Sequence, residues 1–167
     1  MPAVEASILI RASQTDLFDL SQDYALRTAW DPFIRQMRFL DGATQSGLGV
    51  RVTGRAYNGL SMTVKFVSFN RPDVVAMTMT DGPWFLEKFA GSWRFLPRPD
   101  GQTEVVFRYV FETKFRWLRW LLNPIFASVF RRDLRGRLRG LKRGAEQMGL
   151  LRRLRDGASC WAAVRQK

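Results

Sequence analysis

The sequence predicts an α+β domain: one curved antiparallel sheet of about seven strands, two short helices near the start, and a long C-terminal helix laid over the sheet. Three observations carry this reading. Apolar residues alternate with period two for about 75 residues after Trp30, turn-type spacers interrupt that alternation, and one long amphipathic helix follows it.

Val4 to Ile10 alternates as a first strand, and Ser13-Gln14-Thr15-Asp16 forms a capping sequence that opens a helix through Leu17, Phe18 and Leu20. A second short helix is expected from Asp23 to Trp30, ending before Pro32 because the residue preceding proline disfavours helix. The expected strands then run Arg35–Leu40, Val50–Tyr57, Leu60–Phe69, Val74–Thr80, Phe85–Phe95 and Thr103–Thr113. Asp41-Gly42, Asn58-Gly59, Arg71-Pro72-Asp73, Asp81-Gly82-Pro83 and Pro99-Asp100-Gly101 connect them. Spacers this short demand hairpins rather than helical crossovers. One face of the sheet carries Met62, Val64, Phe66, Val75, Met77, Met79, Phe85, Phe89, Trp93, Phe95, Val105, Phe107, Tyr109 and Phe111, and the other Thr63, Lys65, Lys88, Arg94 and Arg108. The apolar face needs a cover. Asn123-Pro124 is expected to start a helix of about 25 residues and about 37 Å, ending near Met148-Gly149. Phe126, Phe130, Leu134, Leu138, Leu141, Ala145 and Met148 share one side of it, and Arg131, Arg132, Arg135, Arg139, Lys142 and Arg143 the other.

A chain of 167 residues makes one domain, expected over residues 1–149 with a basic extension at 150–167. At this length the core removes roughly 70% of the unfolded surface from water, so no disulfide or structural metal is needed. The absence of histidine excludes Ser-His-Asp and Cys-His nucleophile systems, imidazole acid/base chemistry and histidine-based zinc sites. Cys160 is alone, so no internal disulfide or thiolate site forms, and no cofactor or metal is implied. The net charge of +12 lies entirely in the last third, where residues 114–167 hold 15 Lys+Arg against three acids. Such a basic end suits solubility or an acidic partner, either an anionic membrane surface or nucleic acid. The most hydrophobic stretch, Trp117 to Phe130, is interrupted by Arg119 and Asn123-Pro124, and no secretion signal opens the chain. A cytoplasmic protein is expected, with peripheral association at the inner face of the membrane left open.

Several local features resemble one family. They are Ile8-Leu9-Ile10-Arg11-Ala12-Ser13 leading to Leu17-Phe18-Asp19-Leu20, Trp30-Asp31-Pro32-Phe33, Phe89-Ala90-Gly91-Ser92-Trp93, and Leu138-Arg139-Gly140-Leu141-Lys142-Arg143-Gly144-Ala145-Glu146. Together with the element order they resemble the polyketide cyclase/dehydrase branch of the START-related SRPBCC superfamily, over about residues 4 to 149. The resemblance implies a helix-grip fold with a hydrophobic cavity between sheet and long helix, for a lipid, sterol, quinone or polyketide-like aromatic. It carries over no catalytic residue.

The expected cavity residues are Trp30, Phe33, Met62, Phe66, Met77, Met79, Phe89, Trp93, Phe107, Tyr109, Phe111, Phe130 and Leu134, facing the thin backbone of Gly136, Gly140 and Gly144. A solid core built of the same residues is the alternative. Glu87 and Arg137 also fall toward the apolar side, where a buried charge needs a partner. They form a candidate polar handle with Tyr109, in which Arg137 grips a carboxylate, carbonyl or phosphate and Glu87 orients it. Otherwise Arg137 snorkels outward and a bulge turns Glu87 to solvent. Arg116, Trp117, Arg119 and Trp120 interleave indoles with guanidiniums, a composition that suits the bilayer interface and continues into Arg131, Arg132, Arg135, Arg139, Lys142 and Arg143. The tryptophans could equally close the end of the sheet. The expected function is binding, and transfer, of an apolar small molecule at an anionic membrane. The alternatives are a cyclase/dehydratase drawing on Asp31, Glu87 or Tyr109, and a ribosome- or RNA-associated protein acting through its basic helix.

Overall fold

The computed structural model describes residues 1–164; the side chains of Arg116, Arg119 and residues 158–164, Cys160 among them, lie outside the described residues. The elements run β1 (Ala3–Ile10), α1 (Gln14–Gln22), α2 (Tyr24–Trp30), β2 (Ile34–Phe39), β3 (Arg51–Ala56), β4 (Ser61–Asn70), β5 (Val74–Asp81), β6 (Leu86–Pro97), β7 (Thr103–Thr113), α3 (Arg119–Glu146) and α4 (Leu150–Val164). The seven strands form one sheet in the order β1-β7-β6-β5-β4-β3-β2. Every neighbouring pair is antiparallel. The meander is as the alternation implies, and β1 closes it by lying along β7, with Ala3 opposite Val110 and Ile10 opposite Thr103.

Local chemistry sets the element ends. Ser13 Oγ accepts from Asp16 N at 3.1 Å to open α1. Asp23 ends α1 and caps α2, its Oδ1 accepting from Ala25 N and Leu26 N at 2.9 and 3.0 Å. Along the sheet Phe66, Val75, Phe89, Trp93, Phe95, Val105, Phe107 and Phe111 are buried on the inner face. Lys65, Lys88, Arg94 and Arg108 are exposed on the outer one.

The C-terminal third departs from expectation in two places. Helix α3 begins at Arg119 rather than at Asn123-Pro124, because a short turn over Arg116–Leu118 already sets the helical course. Pro124 therefore lies inside the helix, where its missing N–H removes one internal hydrogen bond. The helix has 28 residues, about 42 Å at 1.5 Å per residue. Beyond it Gly149, at φ +64, turns the chain back. The basic extension is helical, since α4 runs without a break through Gly157-Ala158-Ser159. Leu150 is buried, and Arg155 Nη2 donates to Asp16 Oδ2 at 2.9 Å, so α4 returns to α1.

Helix α3 meets the end of α2 along a glycine seam. A Cβ on Gly140 would stand 2.2 Å from the Trp30 carbonyl oxygen, and one on Gly144 would stand 2.9 Å from Trp30 Cβ. These glycines face Trp30 and Pro32, not the cavity that the sequence suggested, and the close approach they allow seats Asp31 beneath α3. We expect Gly140→Ala to lower stability by about 1–3 kcal/mol through overpacking, despite alanine's helix preference of about 1 kcal/mol. Gly157→Ala in α4, with open space around it, should raise stability by a few tenths up to about 1 kcal/mol. Urea midpoints of the two variants check both signs.

Candidate ligand-binding cavity

A cavity of about 140 Å³ lies between α3 and the inner face of the sheet. Phe33, Met62, Met77, Phe89, Trp93, Phe107, Tyr109 and Phe130 line it, joined by Tyr24, Ile34, Met37, Val52, Ala56, Val64, Phe85 and Leu86. Five residues expected in the lining are elsewhere: Trp30, Phe66, Met79, Phe111 and Leu134. Phe18 of α1 enters the other half of the groove and packs 5.3 Å from Phe69 and 5.5 Å from Phe95. Phe66 joins that plug at 5.8 Å from Phe69. Trp30 is held under the glycine seam, Met79 folds against Gly82, and Phe111 packs on Phe130 at 4.9 Å. Leu134 is fully buried in the core. Half of the groove is solid and half is hollow. Leu60 and Ser61, exposed members of the lining, mark where the hollow meets solvent.

The polar residues of the wall form one chain of contacts. Asp31 is buried, and its Oδ2 accepts from Arg27 Nε at 3.1 Å and from Arg137 Nε and Nη2 at 3.1 and 2.9 Å. Its Oδ1 accepts from Phe33 N at 3.1 Å. Arg27 also donates to the Ser21 carbonyl at 2.7 Å, and Arg137 Nη1 donates to Tyr109 Oη at 2.5 Å. Tyr109 in turn donates to Asp133 Oδ2 at 3.1 Å. Both guanidiniums lie over aromatic rings, Arg27 at 5.5 Å from Trp93 and Arg137 at 5.1 Å from Phe107. Burial opposes ionisation of Asp31, but the charges of Arg137 and Arg27 overcome it and hold the carboxyl below its ordinary range. At Asp133 burial wins over Arg137, and the carboxyl is pushed up. Burial likewise raises the Tyr109 phenol, which stays protonated and acts as a donor.

The polar handle is thus differently built from the one the sequence suggested. Arg137 does line the cavity with Tyr109, but its partner is Asp31. Glu87 is exposed, because the β6–β7 register shifts between Leu86 and Lys88 and turns both Glu87 and Lys88 outward. Asp31 itself contributes nothing to the cavity lining, so of Asp31, Glu87 and Tyr109 only Tyr109 faces a guest. Arg27 and Asp133 escaped sequence reasoning. Their signal was the spacing: Arg27/Asp31 and Asp133/Arg137 are both i,i+4 ion pairs, at 3.1 and 3.9 Å. Among the described residues no group of His, Cys, Asp and Glu could hold a metal ion.

Outside the cavity, α3 changes character along its length. Trp117 and Trp120 are each 77% exposed, and Leu121, Ile125 and Val129 continue an exposed apolar face. The same side then carries exposed Arg131, Arg132, Arg135, Arg139 and Arg143. Lys142 leaves this set, because it donates to the Leu9 carbonyl at 2.7 Å and pairs with Glu146 at 3.3 Å. Trp117 and Trp120 do not close the sheet end, where Phe126 stacks on Phe85 at 5.0 Å. No described helix is long and apolar enough to cross a membrane.

The Asp31 network yields a pH-dependent prediction. A carboxyl held below its unfolded range stabilises the fold above about pH 4, and that contribution is lost as pH falls through its depressed value. Asp31→Asn, which leaves two buried guanidiniums without their anion, should cost about 3–5 kcal/mol at neutral pH. It should also flatten the acid side of the stability profile below about pH 4, as read from urea midpoints.

A family model described as polyketide cyclase / dehydrase and lipid transport matches residues 1–146. Among curated proteins none matches the chain by sequence. Among solved structures, a START superfamily protein from Mycobacterium smegmatis superposes with TM-score 0.73 at 13% identity, covering 87% of this chain and 98% of its own. The Zhui aromatase/cyclase from Streptomyces sp. R1128 gives 0.67 at 17% identity, over 89% of this chain and 98% of its own. The protein XoxI from Bacillus cereus gives 0.73 at 12% identity, over 89% and 98%. The chain therefore belongs to the polyketide cyclase/dehydrase and lipid-transport family, in the helix-grip fold of the START-related SRPBCC superfamily.

Proposed function

We propose that the protein binds an apolar small molecule, or the apolar end of a lipid, in the cavity beneath α3, and docks peripherally on an anionic membrane to exchange it. The observation that carries this reading is the hollow itself, about 140 Å³ left unfilled between sheet and helix with almost wholly apolar walls. That volume is close to an engineered 150 Å³ apolar cavity that stays dry and takes up benzene. One ring or a short branched chain fits inside, and anything longer extends through the mouth beside Leu60. The family's hydrophobic ligand-binding fold agrees with this use of the cavity.

The membrane part rests on where the exposed apolar groups lie. Trp84 is 70% exposed and contacts Phe85 of the cavity wall at 5.8 Å and Phe115 at 5.7 Å. With Trp117, Trp120, Leu121, Ile125 and Val129 it offers exposed apolar side chains that reach the cavity wall at Phe85, backed by the arginines of α3. Indoles at headgroup depth and guanidiniums on phosphates suit an anionic bilayer. RNA would engage the arginines but leave the tryptophans and aliphatic residues without a role. A cyclase reading draws on Tyr109 and Asp133, the donor and carboxylate that meet the cavity together.

Two measurements test the reading. Native mass spectrometry of freshly purified protein should show an apolar adduct that is recovered by lipid extraction, and protein that is uniformly empty even after incubation with lipid extract would remove the carrier function. In co-sedimentation, vesicles containing phosphatidylglycerol should retain the protein and pure phosphatidylcholine should not. Each of Arg131→Gln, Arg132→Gln and Arg135→Gln should weaken retention about five-fold, corresponding to about 1 kcal/mol per basic residue. Trp117→Ser/Trp120→Ser should reduce retention further even at high salt, and equal recovery on both vesicle types would exclude docking.

A further inference from the structure

The sequence pointed to Arg137 as a grip for a carboxylate, carbonyl or phosphate, and the geometry points elsewhere. Three charged residues line the cavity, Arg27, Asp133 and Arg137. Both arginines converge on the carboxylate of Asp31, which lies behind the wall, and their remaining described bonds go to the Ser21 carbonyl and the Tyr109 hydroxyl. Both guanidiniums are thus already paired with Asp31 before a guest arrives. Asp133 is in the opposite position. Among the described residues its only hydrogen bond is the one from Tyr109 to Oδ2, and its nearest cation, Arg137 Nη1, stands 3.9 Å away. A carboxylate oxygen has room for further donors, and among the described residues none donates to the second oxygen of Asp133, Oδ1.

We propose that Asp133 is the polar recognition point of the cavity and that the guest is a neutral apolar molecule presenting a hydroxyl, such as a phenol or alcohol, which donates to Asp133. The inference rests on the cavity being a binding site and goes beyond it by naming the chemical class of the guest. Carboxylic acids are disfavoured, since an ionised guest would set two carboxylates side by side in an apolar enclosure with no uncommitted cation to separate them. Tyr109 has a positioning role. Its hydroxyl accepts from Arg137 and donates to Asp133, which orients the carboxylate toward the hollow.

The test uses three probes of one shape, p-cresol, toluene and p-toluate, titrated at neutral pH against the full chain, with binding followed on the indole N–H resonances by NMR. Toluene reports the cavity alone. We expect p-cresol to bind at least as tightly as toluene despite its greater hydration, and p-toluate at least about ten-fold more weakly than either. Asp133→Leu should weaken p-cresol about ten-fold relative to toluene. Asp133→Asn keeps the shape while removing the charge, so it should improve p-toluate binding, a gain that a purely structural role for Asp133 would not produce. The proposal is overturned if toluene binds but p-toluate binds as well as p-cresol, or if the p-cresol preference survives in Asp133→Leu. If toluene itself does not bind, the cavity reading fails and this inference with it.

Discussion

Two guanidiniums and two carboxylates are buried or nearly so beneath α3, and the rest of the structure is arranged to make that tolerable. Asp31 holds both Arg27 and Arg137, and it reaches Arg137 only because α3 lies against the end of α2 along Gly140 and Gly144. A buried ion network of this kind gives little net stability over an apolar equivalent. What it gives is register. Sliding α3 by one residue would turn Arg137 by about 100° away from Asp31, breaking that pair and leaving Asp31 with Arg27 alone. The helix that covers the sheet is therefore positioned by charge at one point and by aromatic packing along the rest.

That division explains why the groove is hollow on one side. Where α1 inserts Phe18, the aromatic residues meet and the interior is solid. Where the ion network meets the sheet, the guanidiniums of Arg137 and Arg27 stand over Phe107 and Trp93 and are held there by bonds to Asp31 and Ser21. The hollow follows from having polar groups whose bonds must be satisfied sideways, toward Asp31 and Ser21, rather than down into the sheet.

Much of the fold was legible in the chain because its signals are local. The alternation, the Asp-Gly and Asn-Gly turns and the Ser13 cap each act over a few residues, and the strands follow them closely. The site was less legible, because its partners come from distant segments. Arg137 could be seen to need an anion, but choosing Asp31 over Glu87 depends on a one-residue bulge after Leu86 and on the seam at Gly140. Periodicity shows neither. The start of α3 was missed for a similar reason: Asn123-Pro124 is a genuine helix-opening sequence, overridden by the turn that precedes it. The i,i+4 pairs of α2 and α3 were visible in the sequence, and reading them together as one network would have found Arg27 and Asp133.

The pairing of β1 with β7 sets the order in which the molecule can be made. The first strand has no neighbour until the chain reaches residues 103–113, so during synthesis it waits while the five strands of the meander between them emerge. Helix α3 emerges after all seven strands and cannot shield the aromatic face until the hairpins are in place. For that interval the nascent protein displays a sheet of Phe, Met and Trp with nothing over it, and the growing chain depends on chaperones or on speed to avoid joining another copy of itself.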